Sequence, residues 1–196
     1  MFLFLPNTPL KPLAFHIKKD SPSLCYHALA MATLGILTSS DLGARGLRED
    51  TSGHLIKETL QAAGFDVRRY EIVPDEQEVI EERLRRWVDE DGLDLVVTTG
   101  GTGLTTRDVT PEATLAVVQR QVPGMAEAMR IKTLENTPLA MVSRSVVGVR
   151  GRTLIINLPG SPKGVKECLD VVLPVIPHAV EMLQEEPPPH EAQPSG

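Results

Sequence analysis

The sequence predicts an α/β fold: a three-layer αβα single domain on a mostly parallel sheet, with an antiparallel hairpin at one edge. Three observations carry this. Short apolar, β-branched runs alternate with longer segments of helical period, and strands alternating with helices pack as a parallel sheet covered on both faces. The stretch LVVTTGGTGLTTRDVT (95–110) runs from a buried-strand pattern through a glycine turn to a helix start. Finally, two short strands at 146–149 and 153–157 are joined by Arg150 and Gly151, as in a hairpin.

The chain has 196 residues, 41% of them hydrophobic, enough for one full core; with 4% aromatics that core must be aliphatic. A net charge of −6 with no Lys/Arg run argues against nucleic-acid binding. The opening apolar run is too short to span a membrane, and no basic residues precede it as in a secretory signal. Cys25 and Cys168 form no motif, so a cytoplasmic, disulfide-free protein is expected. The five histidines are scattered, without metal-ligand spacing.

Taken in order, residues 1–30 are broken by Pro6, Pro9, Pro12 and Pro22. They are expected to lie outside the fold, as a disordered extension or one upstream of a native start at Met31. Residues 32–37 read as a buried first strand ending at Thr38, Ser39, Ser40 and Asp41. Residues 52–63 read as a helix stopped by Gly64. Residues 66–73 form a second strand nearer an edge, since Val67 alternates with charged neighbours. The clearest helix is 75–89, with Val79, Ile80, Leu84, Trp87 and Val88 on one face and the pairs Glu81–Arg85 and Glu82–Arg86 on the wet face. Residues 93–98 form the third strand. Helices follow at 111–120 and 123–134. The last helix, 165–183, is expected to kink or split at Pro174 and Pro177. Residues 31–184 thus form the domain, and the Pro- and Glu-rich tail 185–196 is expected to be disordered.

In such a sheet every turn from strand to helix emerges on the same side. These turns carry Ser39, Ser40 and Asp41; Pro74, Asp75 and Glu76; Gly100, Gly101, Thr102 and Gly103 with Asp108; and Pro159, Gly160, Ser161 and Pro162. Acidic residues, two glycine turns and several hydroxyls therefore converge on one rim. Glycine-turn and helix-start N–H groups suit phosphate oxygens. Carboxylates repel phosphate, so Asp75 and Asp108 beside an anion site point to Mg²⁺ bridging them to a nucleotide. No Lys-Ser/Thr follows the glycines, so this is not a P-loop, and Thr106 stands where a dinucleotide fingerprint needs glycine. Structural roles are open beside the functional ones. Asp75 with Glu78 makes a capping box, Asp41 suits a turn, Thr110 before Pro111 reads as a helix cap, and residues 159–162 could be a stop and restart of structure.

The segment TTGGTGLTTRDVTPEAT (98–114) resembles the glycine-rich motif of the MogA/MoaB-type molybdenum cofactor biosynthesis proteins, also found as the G domain of gephyrin-like proteins. PDEQEVIEE (74–82) and LPGSPKGVKECL (158–169) look like that family's second and third motifs, and TSSD (38–41) sits at its first turn. The resemblance implies a molybdopterin-binding domain that assembles as a trimer or a hexamer, with a molybdenum insertion protein downstream. It implies Mg²⁺-dependent adenylylation of molybdopterin by ATP, giving adenylyl-molybdopterin and pyrophosphate. Asp75 and Asp108 match the family's essential aspartates and are the expected catalytic and metal-holding residues. Ser40, Asp41, Gly100, Gly101, Thr102, Gly103, Pro159, Gly160, Ser161 and Pro162 are the expected substrate-binding residues, the last four on the pterin side. The alternatives are a non-catalytic MoaB-like molybdopterin-binding protein, an oligomeric scaffold or binding module, and a related fold acting on another nucleotide. Presence of both Asp75 and Asp108 favours the enzyme.

Overall fold

The structure, a computed structural model, describes residues 32–185. Expectations for residues 1–30 and for the tail beyond Glu185 fall outside the described residues.

Among the described residues six strands form one sheet: β1 (Thr33–Ser39), β2 (Asp66–Val73), β3 (Leu95–Thr99), β4 (Arg120–Gln121), β5 (Val147–Arg150) and β6 (Thr153–Leu158), in the order β2-β1-β3-β6-β5-β4. The first four in that order run parallel. β5 pairs antiparallel with β6, and β4 antiparallel with β5, closing the edge expected from the hairpin. The described α-helices that cover it are α1 (Asp41–Ala44), α2 (Thr51–Ala62), α3 (Gln77–Asp89), α4 (Thr110–Val117), α5 (Pro123–Leu134), α6 (Pro162–Val172) and α7 (Ile176–Gln184).

The strand period of two sorts the core into two layers. Leu34, Ile36, Leu95, Val97, Leu154 and Ile156 face one side, where Ile56 and Leu60 of α2, Met129 of α5 and Val165, Leu169 and Val172 of α6 pack on them. Leu37, Val96 and Ile155 face the other side, against Ile80, Leu84 and Trp87 of α3 and Ala113 and Val117 of α4. Each fully buried Leu or Ile contributes about 1.5–3 kcal/mol. At Gly35 an added Cβ would lie 2.7 Å from Trp87 and Leu93. Gly35→Ala is therefore expected to destabilise the fold by about 1–3 kcal/mol through overpacking. A urea titration checks this; an unchanged midpoint would mean the indole has room to shift.

Several boundaries differ from the sequence reading. The helix expected from 75 starts at Gln77. The helix expected over 111–120 ends at Val117, because Val118 turns extended and Gln119 and Val122 donate to the carbonyls of Val149 and Val147. Arg120 and Gln121 thereby become a short edge strand. Edge pairing, not visible in local period, overrides the helical pattern. The long C-terminal helix is split after Val172, with Pro177 placed in the first turn of α7, where its missing N–H costs nothing. On α3 the Glu81–Arg85 pair forms at 3.7 Å, but Arg86 reaches Glu90 rather than Glu82.

The chain goes from β1 through α2 to β2 on one side, then returns through α3 to β3 on the other side of β1. The strand order reverses there, which opens a crevice beyond the carboxyl ends of β1 and β3.

Candidate active site

A cleft of about 510 Å³ occupies that crevice, walled by the ends of β1 and β3 and by the starts of α2 and α6. Of the expected site residues, Ser40, Asp75, Gly100, Gly101, Asp108, Gly160, Ser161 and Pro162 line it. Asp75 and Asp108, 33 positions apart in sequence, face one cavity. Asp41, Thr102, Gly103 and Pro159 do not line it. The Asp41 carboxylate is taken up by the guanidinium of Arg107, at 2.7 and 3.0 Å. The carbonyls of Thr102 and Gly103 accept from the backbone N–H and the Nε of Arg144. Pro159 gives its carbonyl to the Thr99 hydroxyl at 2.7 Å.

Asp75 sits on the loop after β2 and caps no helix, contrary to the capping-box reading: Glu76 precedes α3 without a side-chain cap bond. Its carboxylate is oriented across the crevice instead. Oδ1 accepts the Ser39 hydroxyl at 2.7 Å and Oδ2 accepts the Asp41 N–H at 2.9 Å. Two donors, from the last residue of β1 and the first of α1, thus aim the group; Ser39 stood in the TSSD stretch at the rim but not among the expected substrate-binding residues.

Asp108 closes a tight loop, its Oδ2 accepting the Thr105 N–H at 2.7 Å. Partial burial works against its charge, but hydrogen bonds from Thr105 and Gly103 and the nearby Arg144 outweigh it and hold Asp108 below the usual carboxylate range. Asp41 is likewise lowered, chiefly by its bond to Arg107. Both pKa values are lower folded than unfolded. The stabilisation they bring is present above the ordinary value of 3.8 and lost as pH falls through the lowered folded values. Both groups are largely solvated, so their contribution is a small one: urea midpoints should stay level from neutral pH towards about 5 and fall slightly on this account at more acid pH. A midpoint that rises on acidification would contradict the assignment.

The glycine turn is built for close approach. Gly100 has φ +91° and Gly101 has φ +60°, both in the left-handed region that favours glycine. A Cβ on Gly100 would collide with the Ser39 carbonyl, and one on Gly101 with the Thr110 hydroxyl. Thr110 does not cap α4, as its sequence position suggested. It is the first residue of that helix, donates its N–H to the Gly101 carbonyl at 3.1 Å, and is fully buried. Its Oγ1 has no hydrogen-bond partner among the described residues. That unpaired hydroxyl faces the space left at Gly101, beside the Asp75 carboxylate and the Ser39 hydroxyl.

On the opposite wall Asp50 caps α2 by accepting the Gly53 N–H at 2.8 Å. It also takes the hydroxyls of Thr38 at 2.5 Å and Tyr70 at 2.7 Å. Burial first, then this carboxylate, pushes the Tyr70 hydroxyl well above its usual range. Ser161 caps α6 through the Gly164 N–H, and the Ser52 hydroxyl donates to the Gly160 carbonyl at 2.8 Å, joining the two helix starts. The stop-and-restart role of residues 159–162 and their place in the cleft coexist. Neither Asp50 nor Tyr70 carries a motif in the sequence; their meeting is tertiary.

The cleft thus presents two helix N-termini and a glycine turn, which favour anions. Glu49, Asp50, Asp75 and Asp108 also line it, against Arg48 alone as a cation among the described lining residues. Such an inventory does not accept a polyphosphate without an added cation. Among the described residues no three His, Cys, Asp or Glu side chains gather into a metal cluster. Mg²⁺ typically takes one or two carboxylates and completes its shell with phosphate oxygens and water. Asp75 and Asp108, both lining the cleft, fit that pattern. Cys168 lies outside this site; burial, then Glu167, pushes its thiol up to about 11.

The family model described as "Probable molybdopterin binding domain" matches residues 35–178. The chain is 47% identical over 152 residues to a molybdopterin adenylyltransferase of Helicobacter pylori, covering 76% of this chain and 86% of that protein. It is 44% identical over 142 residues to the Escherichia coli K12 protein of the same name, covering 71% and 72%. Among solved structures, the molybdopterin biosynthesis enzyme MoaB of Thermus thermophilus superposes with TM-score 0.75 at 55% identity, covering 80% of this chain and 99% of that one.

Proposed function

Because this chain belongs to the molybdopterin-binding domain family of molybdenum cofactor biosynthesis, we propose that it is a molybdopterin adenylyltransferase that transfers AMP from ATP to molybdopterin with Mg²⁺. The observation that carries the reading is that Asp75 and Asp108 line one cleft together with the glycine turn and the starts of α2 and α6.

In this reading the N–H groups of the glycine turn and of the two helix starts hold phosphate oxygens, and Arg48 adds one positive charge at the rim. Asp75 and Asp108 would hold Mg²⁺, whose chemistry here is to neutralise the triphosphate. Ser39 and the Asp41 N–H keep the Asp75 carboxylate aimed into the cleft. An oxygen of the molybdopterin phosphate attacks the α-phosphorus of ATP in line; the bond to the bridging oxygen breaks, and pyrophosphate leaves. The chain supplies positioning and electrostatics rather than a covalent intermediate. Residues 159–162 would lie on the pterin side.

Around this core the reading places the protein in the cytoplasm, as a homo-oligomer built on trimers, with a molybdenum insertion protein accepting its product. No described helix is long and apolar enough to cross a membrane. Ile131, Leu134, Leu139, Met141 and Val142 form exposed apolar surface of the kind an assembly would cover. Incubation with ATP, Mg²⁺ and molybdopterin, followed by detection of adenylyl-molybdopterin and pyrophosphate, tests the proposal. Pterin binding without product would favour the non-catalytic reading instead.

A further inference from the structure

Asp75 and Asp108 stand on separate loops of the cleft, and an ion pair through Asp41 links them. Arg107, the chain neighbour of Asp108, grips Asp41 with two prongs: Nη2 to Oδ1 at 2.7 Å and Nε to Oδ2 at 3.0 Å. Asp41 in turn is doubly tied to Asp75. Its N–H donates to Asp75 Oδ2 at 2.9 Å, and its Oδ1 accepts the Asp75 N–H at 3.2 Å. The far side of the Asp108 loop is held by Arg144, which reaches the carbonyls of Gly103 and Asp108 and the carboxylate of Glu112. Between these grips residues 104–107 are exposed. Arg107 is thus the loop's link to the wall that bears Asp75.

We propose that Arg107 is a positioning residue of this site: by clasping Asp41 it ties the loop of Asp108 to the turn that orients Asp75, and so sets the separation of the two carboxylates. The inference rests on the metal-holding reading of that pair. The physics favours a clasp there, because two carboxylates facing one cavity repel and splay unless held. Arg107 and Asp41 neutralise each other, so the clasp stiffens the site without replacing the cation it is built for. Both prongs are occupied and Arg107 does not line the cleft, so it is not placed as a phosphate ligand. An exposed pair of this kind adds little to global stability, so its removal should leave the fold standing.

The test uses Mn²⁺ as a probe, its affinity measured by the resonance signal of the free ion in the presence of ATP. Arg107→Ala and Asp41→Asn should each weaken Mn²⁺ binding by about 10–100-fold, as loss of groups orienting a metal ligand does. The double variant should be no worse than either single, because the two act as one unit. Arg107→Lys should fall between wild type and Arg107→Ala, since an ammonium keeps the charge but not the two-pronged fork. Arg69→Ala is the control; it removes another exposed two-pronged pair, with Asp91, away from the cleft. It should leave Mn²⁺ affinity unchanged. Normal affinity in Arg107→Ala, additive losses in the double variant, or a raised KM for ATP in Arg107→Ala but not Asp41→Asn would overturn the clasp. Normal affinity in Asp75→Asn and Asp108→Asn would overturn the metal reading and the clasp with it. Weak binding in those two beside normal binding in Arg107→Ala sinks the clasp alone.

Discussion

Asp108→Asn and Asp75→Asn are each expected to cut adenylyl transfer by on the order of 10³-fold or more, while molybdopterin binding stays near that of the parent protein. Asparagine keeps the shape and removes the charge. At position 75 it does further harm, because both carboxylate oxygens already accept from donors, the Ser39 hydroxyl and the Asp41 N–H. An amide must keep its oxygen on the Asp41 N–H and turn its NH₂ to the Ser39 hydroxyl, which then has to accept instead of donate and loses its charge-assisted bond. At position 108 the amide can keep its oxygen on the Thr105 N–H, so the loss there is that of the charge. If the two carboxylates serve one cation, the double variant should be little worse than either single, since groups acting as a unit are not additive. Single-turnover AMP transfer measured beside pterin affinity separates these roles. Full turnover in either variant would refute the assignment. Loss of pterin binding in parallel would mean that the carboxylate serves the fold or the pterin rather than the phosphate chemistry.

Gly101→Ala and Gly100→Ala should damage stability and turnover together. Both positions hold positive φ, where an L side chain costs about 1–3 kcal/mol of strain. Overlap adds about 1–3 kcal/mol more. At 100 the obstacle is the Ser39 carbonyl, backbone of a central strand, which cannot swing aside. At 101 it is the Thr110 hydroxyl, in the space next to Asp75 and Ser39. The two substitutions therefore part in a measurable way. Gly100→Ala should lower the urea midpoint most, by pushing β1 from β3. Gly101→Ala should lose turnover out of proportion to its stability, by filling the space the unpaired Thr110 hydroxyl faces. Equal loss of stability with unchanged specific activity in the folded fraction would show that the turn serves only the fold.

Much of this architecture is local, and local features can be read. The β3 run is apolar because it is buried on both faces. The stripe from Ile80 to Val88 marks α3 because one face of that helix packs on the sheet. Gly64, with φ +97°, ends α2 as its position suggested. Readings failed where a residue's partner is distant. Asp75 looked like a cap because a helix follows it closely, but its carboxylate accepts from Ser39 and Asp41, more than thirty positions back along the chain. Asp41 looked like a turn residue or a ligand, yet its carboxylate is taken by Arg107, 66 positions away. Arg144 carried no motif at all, yet two of its side-chain nitrogens anchor the glycine loop at Gly103 and Asp108 while the third pairs with Glu112 of α4.

By itself the sequence determined the alternation of strand and helix, the aliphatic layers and the side of the sheet on which acids and glycines emerge. Those follow from the periods of two and 3.6 residues and from the backbone freedom of glycine, which each segment carries within itself. Only the tertiary structure decided which carboxylates face the cleft and which are consumed by arginines. Charge pairing depends on distances of a few ångströms between groups dozens of residues apart, and those distances exist only once β1, β3 and the loops beyond them are packed side by side.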